Sequence, residues 1–202
     1  MNKLKLYLPV RDSNGRFTIS QQFGVNGEYY RANGINVVGH NGLDIVCERG
    51  APIYATHDGV GYVGKDINEG LGVIIITNEK FEYKNEETYF KTIYWHLKSW
   101  NIGDGQSIKA GDCIGYADST GFSTGDHLHF GLKPVMPGET NRQWYNIEQS
   151  NGYLGCINPI NYFNGVFADN IPIQRTLIEK LTLLVNLLRR RLAEKLSPDT
   201  HQ

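Results

Sequence analysis

Cysteine is scarce and scattered: three thiols, Cys47, Cys113 and Cys156, in 202 residues. An odd number so far apart frames no disulfide scaffold and makes no CxxC metal knuckle, so these read as buried, unpaired thiols. An excess of charge is missing too. Lys and Arg total 20 against 21 Asp and Glu, which recommends neither nucleic acid nor an acidic surface as partner. No apolar run is long enough to cross a bilayer. The opening "MNKLKLYLPVRDSNG" lacks the continuous apolar stretch of a secretory signal. Function must be read from local sites.

What is abundant is glycine, 23 residues, set between short alternating or β-branched runs from Phe17 to Leu132. That is the pattern of a mainly β domain. "APIYAT", "HDG" and "VGYVG" predict a hairpin. "GVIIIT", from Gly72 to Thr77, suits a strand covered on both faces. "TIYWHL", from Thr92 to Leu97, alternates, with Ile93, Trp95 and Leu97 on one side and Thr92, Tyr94 and His96 on the other. "GQSIKAGDCIGYA" predicts two short strands around Ala110-Gly111-Asp112. The charged stretch from Asn78 to Tyr89 reads as the extended tip of a hairpin, and Lys133 to Gly155 as a long loop that names no ligand.

The character changes at 169–202, a single amphipathic helix following a β domain over 1–168. Asp169 or Asn170 caps it, Pro172 lies in its first turn, and Ser197-Pro198 stops it. Ile171, Ile178, Val185 and Leu192 share one heptad position and Leu181 and Leu188 another, which favours parallel pairing. Leu177 and Leu184 widen the stripe beyond a simple seam. Self-association into a homo-oligomer is the expectation; packing on the β domain, or attraction of Arg189-Arg190-Arg191 to an anionic membrane, are the alternatives.

The chemistry concentrates in histidine. In "GDHLHF", Gly125 to Phe130, His127 and His129 lie two apart on a strand, roughly 6.5 to 7 Å along the chain on one face. Leu128, Phe130 and Leu132 then face the core. In "GHNGLDIV", Asn41-Gly42 makes a turn that folds His40 toward Asp44 at a strand start. His96 is the fourth histidine, on the face of "TIYWHL" that also carries Tyr94. His57 and His201 read as exposed loop residues. Two imidazoles and a carboxylate with an open fourth position are a catalytic zinc set. Two further imidazoles would serve proton transfer and charge stabilisation. Spacing alone leaves open which of His127 and His129 would bind metal.

"HNGLD", "IYWHL" and "STGDHLHFGL", with "GAPIYATHDGVGYVG" and "SIKAGDCIG" between them, resemble the lysostaphin-type zinc metallopeptidases that cut peptide bonds in bacterial peptidoglycan. The likeness runs from about Thr18 to Phe163. It implies an antiparallel β-sheet metallopeptidase domain with a groove over the sheet. By this resemblance His40, Asp44 and His129 would bind Zn2+, and His96 and His127 would be the catalytic pair that does not. The partner implied is a peptidoglycan peptide, in the stem or cross-bridge, and the place of action the cell wall, reached by lysis or on a virion, as a phage-type lysin would. Two departures stand out: the family usually has proline where Asp126 stands and glutamate where Gly131 stands. Asp126 would favour a protonated His127 if their side chains met.

Two other readings compete. A pair of histidines with one carboxylate also makes the facial triad of non-haem iron oxygenases, but that leaves His96 and one of the HxH pair without a role. A non-catalytic wall-binding or activator module would keep the fold and lose a ligand or catalytic residue, and here all five positions are filled.

Overall fold

The computed structural model describes residues 2–13, 16–140 and 142–163. The expected helix over 169–202, the pairing through it, and His201 lie outside the described residues.

In chain order the elements are β1 (Ile19–Gln21), a short helix α1 (Gly27–Ala32), β2 (Leu43–Val46), β3 (Pro52–Tyr54), β4 (Gly59–Asp66), β5 (Gly70–Thr77), β6 (Phe81–Tyr83), β7 (Glu86–Trp100), β8 (Gln106–Ile108), β9 (Cys113–Ala117), β10 (His127–Pro137) and β11 (Trp144–Asn146), followed by a 3-10 turn at Pro159–Tyr162. The strands form an antiparallel sheet whose central path is β1-β2-β10-β7-β5-β4-β8. Among the described residues no helix is long and apolar enough to cross a membrane.

One face of this sheet is the core. Leu128, Phe130 and Leu132 of β10 are fully buried, as alternation requires, beside Leu43 and Ile45 of β2, Phe90 and Tyr94 of β7 and Val73 and Ile75 of β5. Each such side chain contributes about 1.5–3 kcal/mol by leaving water. The opening "KLKLYLPV" also alternates, burying Leu4, Leu6 and Leu8. There Leu6 N–H donates to the Tyr162 carbonyl at 2.8 Å, tying the first described segment to the last.

Several local expectations change in three dimensions. β3 does not pair with β4; it pairs with β9, while β4 lies between β5 and β8. Part of the expected loop from Lys133 is strand: β10 continues to Pro137 and pairs with β11, and the rest is turn and irregular backbone. Within Asn78 to Tyr89, β6 and β7 form a hairpin whose turn residues Lys84 and Asn85 are both left-handed, the geometry of tight hairpin turns. Cys47 and Cys156 are buried and outside any disulfide, while Cys113, also expected to be buried, is only partly so.

His57 is not exposed: it is 5 % accessible and sits on the core face. Its Nδ1–H donates to the Asp58 carbonyl at 2.8 Å and its Nε2 lies 2.9 Å from the Thr92 hydroxyl. Thr92 continues to the Tyr94 hydroxyl, which accepts from the Thr56 amide at 3.0 Å. Tyr94 and Thr92 therefore belong to the core, and His96 does not share their face, contrary to what alternation predicts.

Candidate active site

The opposite face of the sheet gathers the other described histidines, His40, His96, His127 and His129. The antiparallel register of β2 and β10 sets Asp44 directly beside His129, and His127 beside Val46. His40 arrives from the turn before β2. Gly42 in that turn has no substitute, because a Cβ there would lie 2.7 Å from the His129 ring.

His96 reaches the same face by a route that alternation does not give. Val73 of β5 pairs with Tyr94, but Leu71 pairs with Leu97, so two steps on β5 match three on β7. This is a β-bulge, which re-aims side chains. Its extra residue is accommodated at His96, whose φ is +67°. Leu97 returns to the core and His96 turns toward His127 and His129, with ring centroids 4.8 and 6.0 Å away. A left-handed residue bearing a side chain costs about 1–2 kcal/mol, and strain of this kind gathers at functional sites.

Three donor atoms converge. His40 Nε2 and His129 Nδ1 are 3.0 Å apart, and each is 3.1 Å from Asp44 Oδ1. Neighbouring donors in a tetrahedral shell with bonds of about 2.0–2.1 Å stand roughly 3.3 Å apart, so this triangle fits a metal ion once its edges open by a few tenths of an ångström. The ring tautomers suit it as well. His40 Nδ1 lies 3.2 Å from the Gln22 carbonyl, which can only accept, so the proton is on Nδ1 and Nε2 offers a lone pair. The Tyr30 ring stacks parallel to His40 at 6.1 Å and its hydroxyl accepts from Gln21 Nε2 at 2.6 Å. A cluster of two histidines and one aspartate able to coordinate a metal is thus present.

His96 and His127 share that tautomer. His96 Nδ1–H donates to the Thr120 carbonyl at 2.7 Å and His127 Nδ1–H to the Gly125 carbonyl at 2.8 Å. In each neutral ring Nε2 is then the nitrogen without a proton, and both rings line the same cavity, about 800 Å3, as the donor triangle. His127 Nε2 stands 3.5 Å from Asp44 Oδ1.

The electrostatics follow from burial and neighbours. Burial would raise the Asp44 carboxyl, but the imidazoles of His129 and His40 beside it hold it well below the usual carboxylate range. Burial, and then the neighbouring His129, push His96 down to about 4. Burial and the Asp44 charge push Tyr30 up to about 12, so its hydroxyl keeps its proton.

All five expected residues therefore meet in one cavity, and His57 stays out of it. Asp126 does not meet His127. Its carboxylate is 3.0 Å from Arg49 Nη2, which also reaches Asp118 at 3.1 Å. Gly131 lies against Ile93 and Cys156, where a Cβ would stand 3.4 and 3.6 Å from their nearest atoms. The sequence reading missed α1, Tyr30 and the backbone carbonyls of Gln22, Thr120 and Gly125. For α1, Asn26 is no working cap, being left-handed with no side-chain hydrogen bond to the helix, and the carbonyls have no signal either.

Comparison with known proteins agrees with this geometry. Residues 38–143 match the model of Peptidase family M23. Glycyl-glycine endopeptidase ALE-1 of Staphylococcus capitis is 37% identical over 97 residues, which are 48% of this chain and 25% of that protein. Peptidoglycan DD-endopeptidase ShyB of Vibrio cholerae is 40% identical over 95 residues, 46% of this chain and 20% of that one. The chain thus spans a quarter or less of these relatives. Among solved structures, a zinc-containing peptidase from Vibrio cholerae superimposes with TM-score 0.51 at 30% identity, covering 65% of this chain and 37% of that one. Lysostaphin from Staphylococcus simulans shares the fold at TM-score 0.55 and 19% identity, over 83% and 57% of the two chains.

Proposed function

The chain belongs to peptidase family M23, and from that premise we propose that it is a zinc-dependent endopeptidase that hydrolyses peptide bonds in the stem or cross-bridge of peptidoglycan, acting at the bacterial cell wall. The observation that carries this reading is the triangle of His40 Nε2, Asp44 Oδ1 and His129 Nδ1 with two further imidazoles opening onto the same cavity. Relatives named for glycyl-glycine and for DD-endopeptidase activity support the substrate class.

In this reading His40, Asp44 and His129 hold Zn2+. What zinc supplies when bound is a nucleophilic water at neutral pH and a polarised scissile carbonyl. The protein supplies the rest. Gln22 and Tyr30 keep the His40 ring in place. His96 and His127, each with its Nδ1–H already given to a carbonyl, present Nε2 as the atom that takes a proton from the attacking water. A protonated Nε2 then stabilises the developing oxyanion and returns its proton to the leaving nitrogen. The carbonyls of Thr120 and Gly125 do positioning work, since losing either lets a ring turn or change tautomer.

The experiment is elemental analysis of the purified protein together with mass spectrometry of fragments from defined muropeptides. About one zinc per chain and release of peptide fragments are expected. Intact muropeptides from a fully zinc-loaded protein would overturn the activity, and iron in place of zinc would overturn the metal.

A further inference from the structure

A second cavity of about 330 Å3 opens beside the first. The two share Val37 and Leu154 in their walls, so they are neighbours. The second is bounded by Arg31 at the end of α1, by Asn36 and Val38 after it, and by Gln149, Ser150 and Leu154 from the turn that follows β11. Its two sides are fastened together: Val38 N–H donates to the Gly152 carbonyl at 2.9 Å. A Cβ on Gly152 would sit 2.8 Å from a Val38 methyl, so glycine keeps the walls close without closing the space.

The two cavities differ in the charged side chains that line them. Among the described residues the catalytic cavity is lined by Asp44 and Glu69 and by no lysine or arginine. The second is bordered by one cation, Arg31, and by no carboxylate. Among the described residues the Arg31 guanidinium has no ion pair. Its Nη1 folds back to 3.4 Å from where a Cβ of Gly27 would be, over the seam where Gly27 lies flat on the Val38 carbonyl. An arginine placed so, among neutral hydrogen-bonding side chains, offers a forked donor to a carboxylate.

We propose that this second cavity is a substrate subsite that binds a free carboxylate of the peptide through Arg31, with Val38 and Leu154 taking a short aliphatic side chain, so that the acidic arm of the substrate is oriented away from the metal cluster. The proposal rests on the reading of the first cavity as a peptidoglycan endopeptidase site. It makes the charge of the peptide, more than its bulk, the feature that selects which way round the substrate lies.

The test uses two synthetic stem peptides that differ only in a free carboxylate or its carboxamide, and the zinc-loaded protein with Arg31→Gln and Arg31→Lys. Arg31 is exposed and outside every ion pair among the described residues, so neither change threatens the fold. The expected result is a KM about tenfold lower for the carboxylate peptide, in keeping with a charge-assisted hydrogen bond at a partly open site. Arg31→Gln should abolish that preference without changing kcat or the KM of the carboxamide, and Arg31→Lys should restore part of it. Equal KM values in the native protein, or an equal rise for both peptides in Arg31→Gln, would overturn the subsite. Calorimetry with the same peptides separates this from failure of the proposed activity. Carboxylate-selective binding that depends on Arg31 without any cleavage would keep the subsite and sink the endopeptidase reading, whereas cleavage without such selectivity would do the reverse.

Discussion

Two buried histidines stand on opposite sides of the sheet, and they differ in one atom. His57 on the core side and His96 on the groove side are both pushed to about 4, in each case first by burial. Both donate Nδ1–H to a backbone carbonyl. His57 Nε2 is then satisfied by the Thr92 hydroxyl at 2.9 Å, while His96 Nε2 opens onto the cavity. A satisfied imidazole is a structural cross-link; an open one can take a proton. The backbone records the same difference, since His96 alone of the two has a left-handed φ.

The largest effects should come from the groove side. His40→Ala, Asp44→Ala and His129→Ala each remove one corner of the triangle and should lower zinc content and abolish turnover. Full zinc occupancy in all three variants, measured by elemental analysis, would sink the ligand assignment. His96→Ala and His127→Ala should instead keep zinc and lose hydrolysis by about two orders of magnitude or more. Loss of metal from the His127 variant would mean that it and His129 exchange roles.

The strain at His96 gives a sharper version of the comparison. Glycine in a strand is ordinarily less stable than alanine, but at φ +67° the order should reverse. His96→Gly should unfold at higher denaturant than His96→Ala by about 1 kcal/mol, both being inactive. The usual order, with alanine more stable, would show that the bulge relaxes once the imidazole is gone. At His57, where the backbone is ordinary, no such reversal is expected.

How much of this was legible depends on whether the cause was local. The face shared by His127 and His129, and the burial of Leu128, Phe130 and Leu132, follow from strict alternation within one strand. The His40 turn follows from Asn41-Gly42. His96 was found as a residue but on the wrong argument: alternation grouped it with Tyr94 and Thr92, which are core. What moves it is the two-against-three register with β5, a property of the strand pair that "TIYWHL" does not encode. His57 was misjudged for the same reason, because its hydroxyl partner comes from β7, thirty-five residues on. Likewise β3 looked like half of a local hairpin, yet its partner β9 is distant in sequence.

On the core side the expected effect is on stability, and it depends on pH. His57→Leu should leave zinc content and turnover unchanged and destabilise the protein by about 1–3 kcal/mol near neutral pH, since the Asp58 carbonyl and Thr92 hydroxyl lose a buried partner. His57 is neutral in the fold and has its pKa lowered from 6.5 to about 4. Between those values the unfolded chain binds the proton and the folded one does not. Stability contributed by this residue is therefore complete above about 6.5 and falls as pH drops toward about 4, by at most about 1.4 kcal/mol per pH unit. Denaturant titrations should show the variant losing that part of the slope, and an unchanged slope would remove His57 from the account.

The smallest effect is expected at Asp126, beside His127 in sequence yet on neither side of the comparison. The adjacency suggested that its carboxylate would hold a proton on His127. In the structure its partner is Arg49, at 3.0 Å and largely exposed, and His127 Nδ1 is committed to Gly125 instead. Asp126→Asn should therefore leave the pH profile of hydrolysis where it is. Its cost should be below about 1 kcal/mol, as for exposed ion pairs, and should fade at high salt. Arg49 keeps Asp118 as a second partner at 3.1 Å, so the loop between Asp118 and His127 stays tied at one end. Were the acidic limb of the pH profile to move in Asp126→Asn at low salt and return at high salt, the carboxylate would be acting on His127 through space, and the separation between groove chemistry and surface charge would have to be redrawn.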